Sequence, residues 1–534
     1  MYSELEEFEY THHLHQSPSE ASGEHHRTTE LHHAARRGDL DTVRFLTKEK
    51  HQNPLQKDEK GDTALHTAAE GGSLDVLRYF VSEKHCNPAC PGYHGRTPLH
   101  YASLRGHLDV VKYLVIEQQV DPLRQDEDGM TPLHCSCKSS ELITVTFLTE
   151  EIEKNNPIKD ILGNLKSGNT PLHFAAGYGH LNIVQFFISE KNCTPNIPDQ
   201  SIRTPLHYAA ARGQLHIVKY LIDEQGCDPS CLDRNKVTPL HYAARHGHLD
   251  IVKFLTLEKH CSPTSRTSSV NTPIHWAALY GHLDILEFFI TDQNCSPSIP
   301  GQYGRTPLHY AAEKGHLHIV KYLIDERGCE PSCLDSDQEI PLHSAASQGH
   351  LNVVKFLTLE KHCSQPFRKS SGNAPIHRAA LYGHLEILKF FITDQNCSPN
   401  IPGQDGRTPL HYAAEAGHMH IVKYLIDEQG CDPSCLDRKR VTPLHRAANS
   451  GHLDIVKLLT LEKCCSSNQC TVSNSTPLHY AARNGHLKIV QFFVEELKCP
   501  PNLRNKDGMT PRQYAEARGK LIVAEYLKKF EDSS

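Results

Sequence analysis

The chain is 534 residues long, with 56 basic and 63 acidic side chains and a net charge of −7. So small an imbalance leaves no basic surplus for nucleic acid and no acidic tail for a basic partner. No run approaches 18 apolar residues, so no membrane insertion is expected. The opening MYSELEEFEY has no apolar secretory core, and the location these features point to is cytoplasmic. The 39 histidines and 19 cysteines are the oddities that need a cause.

Residues 1–28 contain His12, His13, His15, His25 and His26 but no repeat signal. A disordered polar tail is the preferred reading, with a metal-binding tail as the alternative. From residue 29 one pattern returns to the end. The threonine of T-P-L-H, or its substitute, stands at 29, 63, 97, 131, 170, 204, 238, 272, 306, 340, 374, 408, 442, 476 and 510. Every step is 34 residues except the 39 from 131 to 170. A period in this range means an array whose units contact only their neighbours. The expected divisions are repeats 1–3 with an N-terminal cap (29–130), a degenerate repeat 4 with a longer connection (131–169), repeats 5–14 (170–509) and a capping repeat (510–534).

Each unit predicts two short helices and a loop, as the ninth shows. Thr306 is a good N-cap, Pro307 suits the first helical position, and Leu308 begins the apolar face. His309 falls at the third helical position, where its ring reaches back toward Thr306 as in a capping box. Gly315 ends this helix in the left-handed conformation. His316 opens the second helix, whose Leu317, Ile319, Val320, Leu323 and Ile324 form an apolar stripe. About a dozen polar residues follow, enough for a projecting turn.

T-P-L-H-x-A-A, then G-H, then I-V-x-x-L resembles the ankyrin repeat, with one residue more than its usual 33. The resemblance implies an all-α solenoid of stacked helix-turn-helix units with β-turn fingers. It further implies a concave face of fingers and first helices that binds other proteins.

Histidine occupies the T-P-L-H site in fourteen of fifteen units, from His32 to His479, and the G-H site in ten. These are framework residues; metal ligands would have to converge on one point, whereas a stack spaces them apart. Cysteine behaves alike: Cys193 to Cys499 recur every 34 residues, with Cys86 in step. Equivalent positions in neighbouring units lie too far apart for disulfides. The pairs Cys227/Cys231, Cys329/Cys333 and Cys431/Cys435 would close only under oxidation. No catalytic signature is present, and repeated acids and histidines do not make a unique centre. The expectation is a monomeric, non-enzymatic protein-binding scaffold without cofactor, metal or catalytic residues. An adaptor for an enzyme complex and a metal- or redox-responsive protein are the alternatives.

Candidate partner contacts lie on the first helices. The eighth position after the capping residue gives Tyr178, Tyr280 and Tyr382, and Trp276 lies four residues before Tyr280, on the same helical face. Tyr242 and Tyr310 hold the Trp276 position in flanking units, and Arg245, Glu313 and Arg378 supply charge. Stacking between first helices is the preferred explanation of these aromatics, and a binding hot spot the alternative. The octapeptide RTPLHYAA recurs at 102-residue steps, so the array grew by triplets. Residues 306–339 and 408–441 differ at eight places, four of them consecutive in the loop, where charge swings from −2 to +3. Drift and diversification of a binding surface both account for this. Polar substitutions mark both ends: Glu30 and Asp39 in repeat 1, and Arg512, Gln513 and Glu516 in repeat 15. In repeat 4, Ser140 replaces the turn glycine, so left-handed strain of about 1 kcal/mol is expected there.

Overall fold

A computed structural model describes residues 29–154, 168–363 and 372–531. The histidine-rich stretch 1–28 and most of the long connection after repeat 4 lie outside the described residues. Within them every regular element is helical, and the only strand-like pairing is an isolated bridge between Lys57 and Thr63. The chain falls into two compact units, residues 1–227 and 228–534. Within each, helix-turn-helix repeats stack as an all-α solenoid with projecting turns.

The ninth repeat shows why the sequence folds this way. Thr306 is extended at φ −90°, ψ 166°, and Pro307–Lys314 follows as the first helix. The second helix runs over Leu317–Lys321 and widens into a π-helical turn at Tyr322–Glu326. That widened turn recurs in most repeats; in it the Arg327 N–H reaches back five residues to the Tyr322 carbonyl at 3.2 Å. It houses one residue more than a plain α-helical end, which suits a period of 34.

His309 ties this repeat together and to the next. Its Nδ1 accepts the Thr306 N–H at 3.2 Å and lies 2.9 Å from Thr306 Oγ1. With Nδ1 an acceptor, Nε2 carries the proton and donates to the Glu339 carbonyl at the far end of the following loop, 3.1 Å away. The same bridge joins His100 to Met130, His173 to Arg203 and His411 to Val441, while His275 reaches the Ile299 carbonyl earlier in its loop. It survives where threonine is lost, since the backbone N–H groups of Ile340 and Ala374 still donate to His343 and His377.

The second histidine makes a second link. His316 Nε2 meets the Leu279 carbonyl of the preceding repeat at 3.1 Å, and His350 meets that of Glu313 at 2.8 Å. Gly315, at φ +75°, lies beneath His350: a Cβ there would come within 2.4 Å of the ring. Glycine is therefore required twice, for its backbone and for the histidine above it. On the second helices, Lys321 lies over the Phe356 ring at 5.2 Å and Lys355 over Phe390 at 5.7 Å. Lys361 pairs with Asp325, and Lys463 with Asp427.

Repeat 4 departs from the expected mechanism. Ser140 is not left-handed, so the anticipated strain is absent. Instead the first helix stops early, at Pro132–Ser136, and Cys137 leaves it in a right-handed conformation. Short turns from Lys138 to Cys135 and from Ser139 to Ser136 carry the chain onward. Without glycine the helix gives up its last turn instead of adopting the left-handed exit. His134 Nε2 is buried without a well-formed partner.

Two outcomes follow. Burial holds His100, His173, His275, His309, His411 and His445 at about 4, against an ordinary 6.5, and His134 at about 3. The unfolded chain thus binds protons first as pH falls, so stability is complete above about pH 6.5 and drains away down to about pH 4. Each such imidazole forfeits on the order of 1 kcal/mol by about pH 5.5. Far-UV circular dichroism in denaturant should show a steep acid transition between these limits; a midpoint unchanged from pH 7 to pH 5 would contradict the assignment. In repeat 4, amide exchange over Pro132–Ser136 is expected to be at least about tenfold faster than over Pro307–Lys314, because its stacking face is shorter. Equal protection would show that the shortened helix is no weak point.

Candidate protein-binding surface

The first helices present their fourth residue after the capping position to the loops. Tyr310 donates its hydroxyl to Asn271 Oδ1 at 3.0 Å, and Tyr242 donates to Asp233 Oδ2 at 3.0 Å. Those acceptors also hold the loop backbone: Asn271 Oδ1 takes the Gln302 N–H at 2.9 Å, and Asp233 Oδ1 takes the N–H groups of Asn235 and Val237 at 2.8 Å. Tyr242 and Tyr310 are buried. This row of side chains therefore lies against the bases of the projecting turns.

Trp276 stands in this row without a hydroxyl to anchor it. Half-buried, it meets Tyr242 edge-on, 6.3 Å between centroids and 79° between planes. The Arg245 guanidinium lies 5.6 Å from the Trp276 ring and 5.0 Å from the half-buried Tyr280 ring. Arg245 is itself buried, only 7% exposed. Tyr242, Arg245, Trp276 and Tyr280 thus form one cluster across repeats 7 and 8, a cation held between two π faces. These contacts between neighbouring first helices order the cluster, while the half-exposed rings leave apolar area on the surface.

The other candidates are placed separately. Glu313 is ion-paired with Arg305 at 2.5 Å, and Arg378 with Glu339. Tyr382 is 49% exposed. Tyr178, in the unit spanning residues 1–227, lies under the Arg212 guanidinium at 4.4 Å. The framework residues Thr306, Pro307, Leu308 and His309 are buried, and Gly315 and His316 hold the turn.

Sequence reading missed the residues that shape the turns. Asp199, Asp233, Asp335 and Asp437 cap their own turns, each carboxylate taking two backbone N–H groups. Where that place is glycine, at Gly92, Gly301 and Gly403, the side chain of Asp62, Asn271 or Asn373 fills it from the preceding turn. The paired change from aspartate to glycine, with Asp or Asn about thirty residues earlier, was a visible signal. Turn tips also bond to one another: Ser336 N–H to the Tyr303 carbonyl at 2.7 Å, and Arg438 N–H to that of Asp405 at 2.8 Å.

Family models described as ankyrin repeats, in three copies, match residues 31–126, 116–199, 191–267, 257–335, 274–367, 327–402 and 376–469. A many-copy model of the same repeats matches 461–515. The chain belongs to the ankyrin-repeat family. No individual curated protein matches it. Ankyrin repeats are generally protein–protein interaction modules, and ankyrin-repeat proteins are typically non-enzymatic scaffolds. Among the described residues no helix is long and apolar enough to cross a membrane. Nor does any group of three or more His, Cys, Asp or Glu side chains assemble that would hold a metal ion.

All 19 cysteines are free thiols. Burial pushes Cys86, Cys193, Cys227, Cys295, Cys363 and Cys431 up to about 11, and Cys435 up to about 12. So few thiolates at neutral pH make these side chains poor nucleophiles. Cys464 alone is exposed. Titration of the native protein with a chromogenic disulfide at pH 7 should therefore show about one fast thiol, lost in Cys464→Ser, with the rest appearing on unfolding. Several fast thiols in that variant would revive a redox role.

Proposed function

We propose that this ankyrin array is a scaffold that binds a protein partner on the face built by its first helices and projecting turns. The observation carrying this reading is the Tyr242–Arg245–Trp276–Tyr280 cluster, where two half-exposed aromatic rings flank a desolvated guanidinium. Aromatic and arginine side chains concentrate binding energy when a partner completes their burial. Neighbouring charge is largely neutralised in place, as with Arg305–Glu313 and Arg378–Glu339, so a partner meets a pre-ordered surface. Within the unit spanning residues 228–534, Tyr310 and Tyr382 are proposed as further first-helix contacts, and Tyr178 as a separate contact in the unit spanning residues 1–227.

The array is proposed to work as a monomer, in the cytoplasm, on protein and not on nucleic acid. Repeats 1–3 and 5–14 are proposed as its binding blocks, with repeat 4 between them and repeats 1 and 15 as caps.

The test is a partner isolated by affinity capture and then purified. Trp276→Ala with Tyr280→Ala should weaken its binding by about 2–4 kcal/mol while far-UV circular dichroism stays unchanged. Undiminished binding would remove the cluster from the interface. Loss of helicity instead would mean that the rings serve only to stack the helices.

A further inference from the structure

Four consecutive turns, in repeats 11 to 14, are joined tip to tip by three hydrogen bonds. The Arg438 N–H donates to the Asp405 carbonyl at 2.8 Å, the Val472 N–H to that of Lys439 at 2.9 Å, and the Lys506 N–H to that of Ser473 at 2.9 Å. Arg438, Lys439 and Arg440 are all exposed, as are Val472 and Lys506. Lys439 faces Asp405 at 3.6 Å, both side chains largely in solvent. No ion pair joins Arg438 or Arg440 to a carboxylate among the described residues. The turn beneath is held by its own hydrogen bonds. Asp437 Oδ1 takes the N–H groups of Lys439 and Val441 at 2.8 and 2.9 Å, and Arg446 holds Oδ2 at 3.0 Å.

The chain carries its own control 102 residues earlier. Asp335 Oδ1 takes the N–H groups of Asp337 and Glu339 at 2.9 Å, so this turn has the same backbone pattern as that at 437–441. Ser336, Asp337 and Gln338 replace the three basic residues, and Gln338 and Arg440 share the left-handed conformation, at φ +63° and +57°. Residues of the second helices that make links between repeats stay the same in both copies: Lys321 and Lys423, Asp325 and Asp427. Duplication has kept the scaffold and reversed the charge of one exposed, hydrogen-bonded tip.

We infer that the tips at 438–440, 472–474 and 506–508 form a seat for an acidic polypeptide segment that also carries apolar side chains. Arg438, Lys439, Arg440 and Lys506 meet its carboxylates, and Val472, 49% exposed between them, meets an apolar side chain. Because the tips are already fixed by the bonds between them, the segment orders few groups when it docks. This rests on the protein-binding reading above and names the chemistry of the partner.

The test uses the full chain and a fluorescein-labelled peptide made of two copies of Glu-Leu-Glu-Glu-Phe-Glu, followed by anisotropy. The wild type should bind it, more weakly as salt is raised from about 50 to 300 mM, because the contacts are exposed charges. Arg438→Ser, Lys439→Asp and Arg440→Gln together install the tip of the earlier copy. They should weaken binding at least about tenfold with the circular dichroism unchanged. If that variant fails to fold, Lys439→Ala should still weaken the peptide about threefold. Unaltered affinity in the variants overturns the inference, as does no binding by the wild type. Displacement of the peptide by oligouridylate at lower concentration than by unlabelled peptide overturns it too, since the seat would then prefer nucleic acid. A captured partner that needs Trp276, alongside a peptide indifferent to 438–440, sinks this inference alone.

Discussion

A neutral imidazole accepting at one nitrogen and donating from the other is what the rest of this structure depends on. In His309 the acceptor side closes the start of its own helix and the donor side holds the end of the next loop. One side chain thus satisfies an orphan helix N–H and a loop carbonyl that stacking would otherwise bury unpaired. The G-H histidine, where present, binds backward to the preceding first helix, so a repeat such as the ninth is tied in both directions. Both bonds run to backbone carbonyls, which any residue supplies. That is why neighbouring positions vary while the T-P-L-H histidine stands in fourteen of fifteen repeats.

This arrangement separates scaffold from surface. Residues that contact a neighbouring repeat, such as Gly315 beneath His350, or Lys361 with Asp325, leave little room for change. At the tips the contacts between repeats run mainly through backbone groups, as from the Arg438 N–H to the Asp405 carbonyl. The backbone of the tips is held by Asp335, Asp437 and Asn271, so their outward side chains can alter without loosening the turn. Diversity at 336–338 and 438–440 is therefore mechanically cheap. A protein that recognises others by changing side chains on a fixed frame needs that property.

Much of this was legible in the sequence because the signals are local and repeated. The helix starts at Thr306-Pro307, the glycine exit at Gly315, the capping ring of His309 and the apolar stripe from Leu317 all depend on residues within one unit. What escaped were contacts between units. Nothing in G-H alone says that His316 seeks the Leu279 carbonyl, and nothing in the second helix announces its π turn. The exchange of Asp for Gly301 with Asn271 spans about thirty residues and shows only when turns are compared. Repeat 4 taught the opposite lesson. Ser140 was correctly marked as unsuited to a left-handed turn, but the chain shortened its helix at Ser136 and avoided the strain. Spacing alone marks the aromatic row, whereas the fold brings Arg245 onto Trp276 and Tyr280.

The central claim concerns the tautomer of the framework imidazoles, and it can be read directly. Long-range proton–nitrogen correlation spectra of protein labelled with ¹⁵N-histidine, at pH 7, distinguish the two neutral tautomers and the cation. His309 and its equivalents should appear as neutral rings protonated at Nε2, each assigned by loss of its signal in a single substitution such as His309→Gln. Imidazolium signals, or neutral rings protonated at Nδ1, would mean that Nδ1 does not accept the capping N–H and that the repeats are held together in some other way.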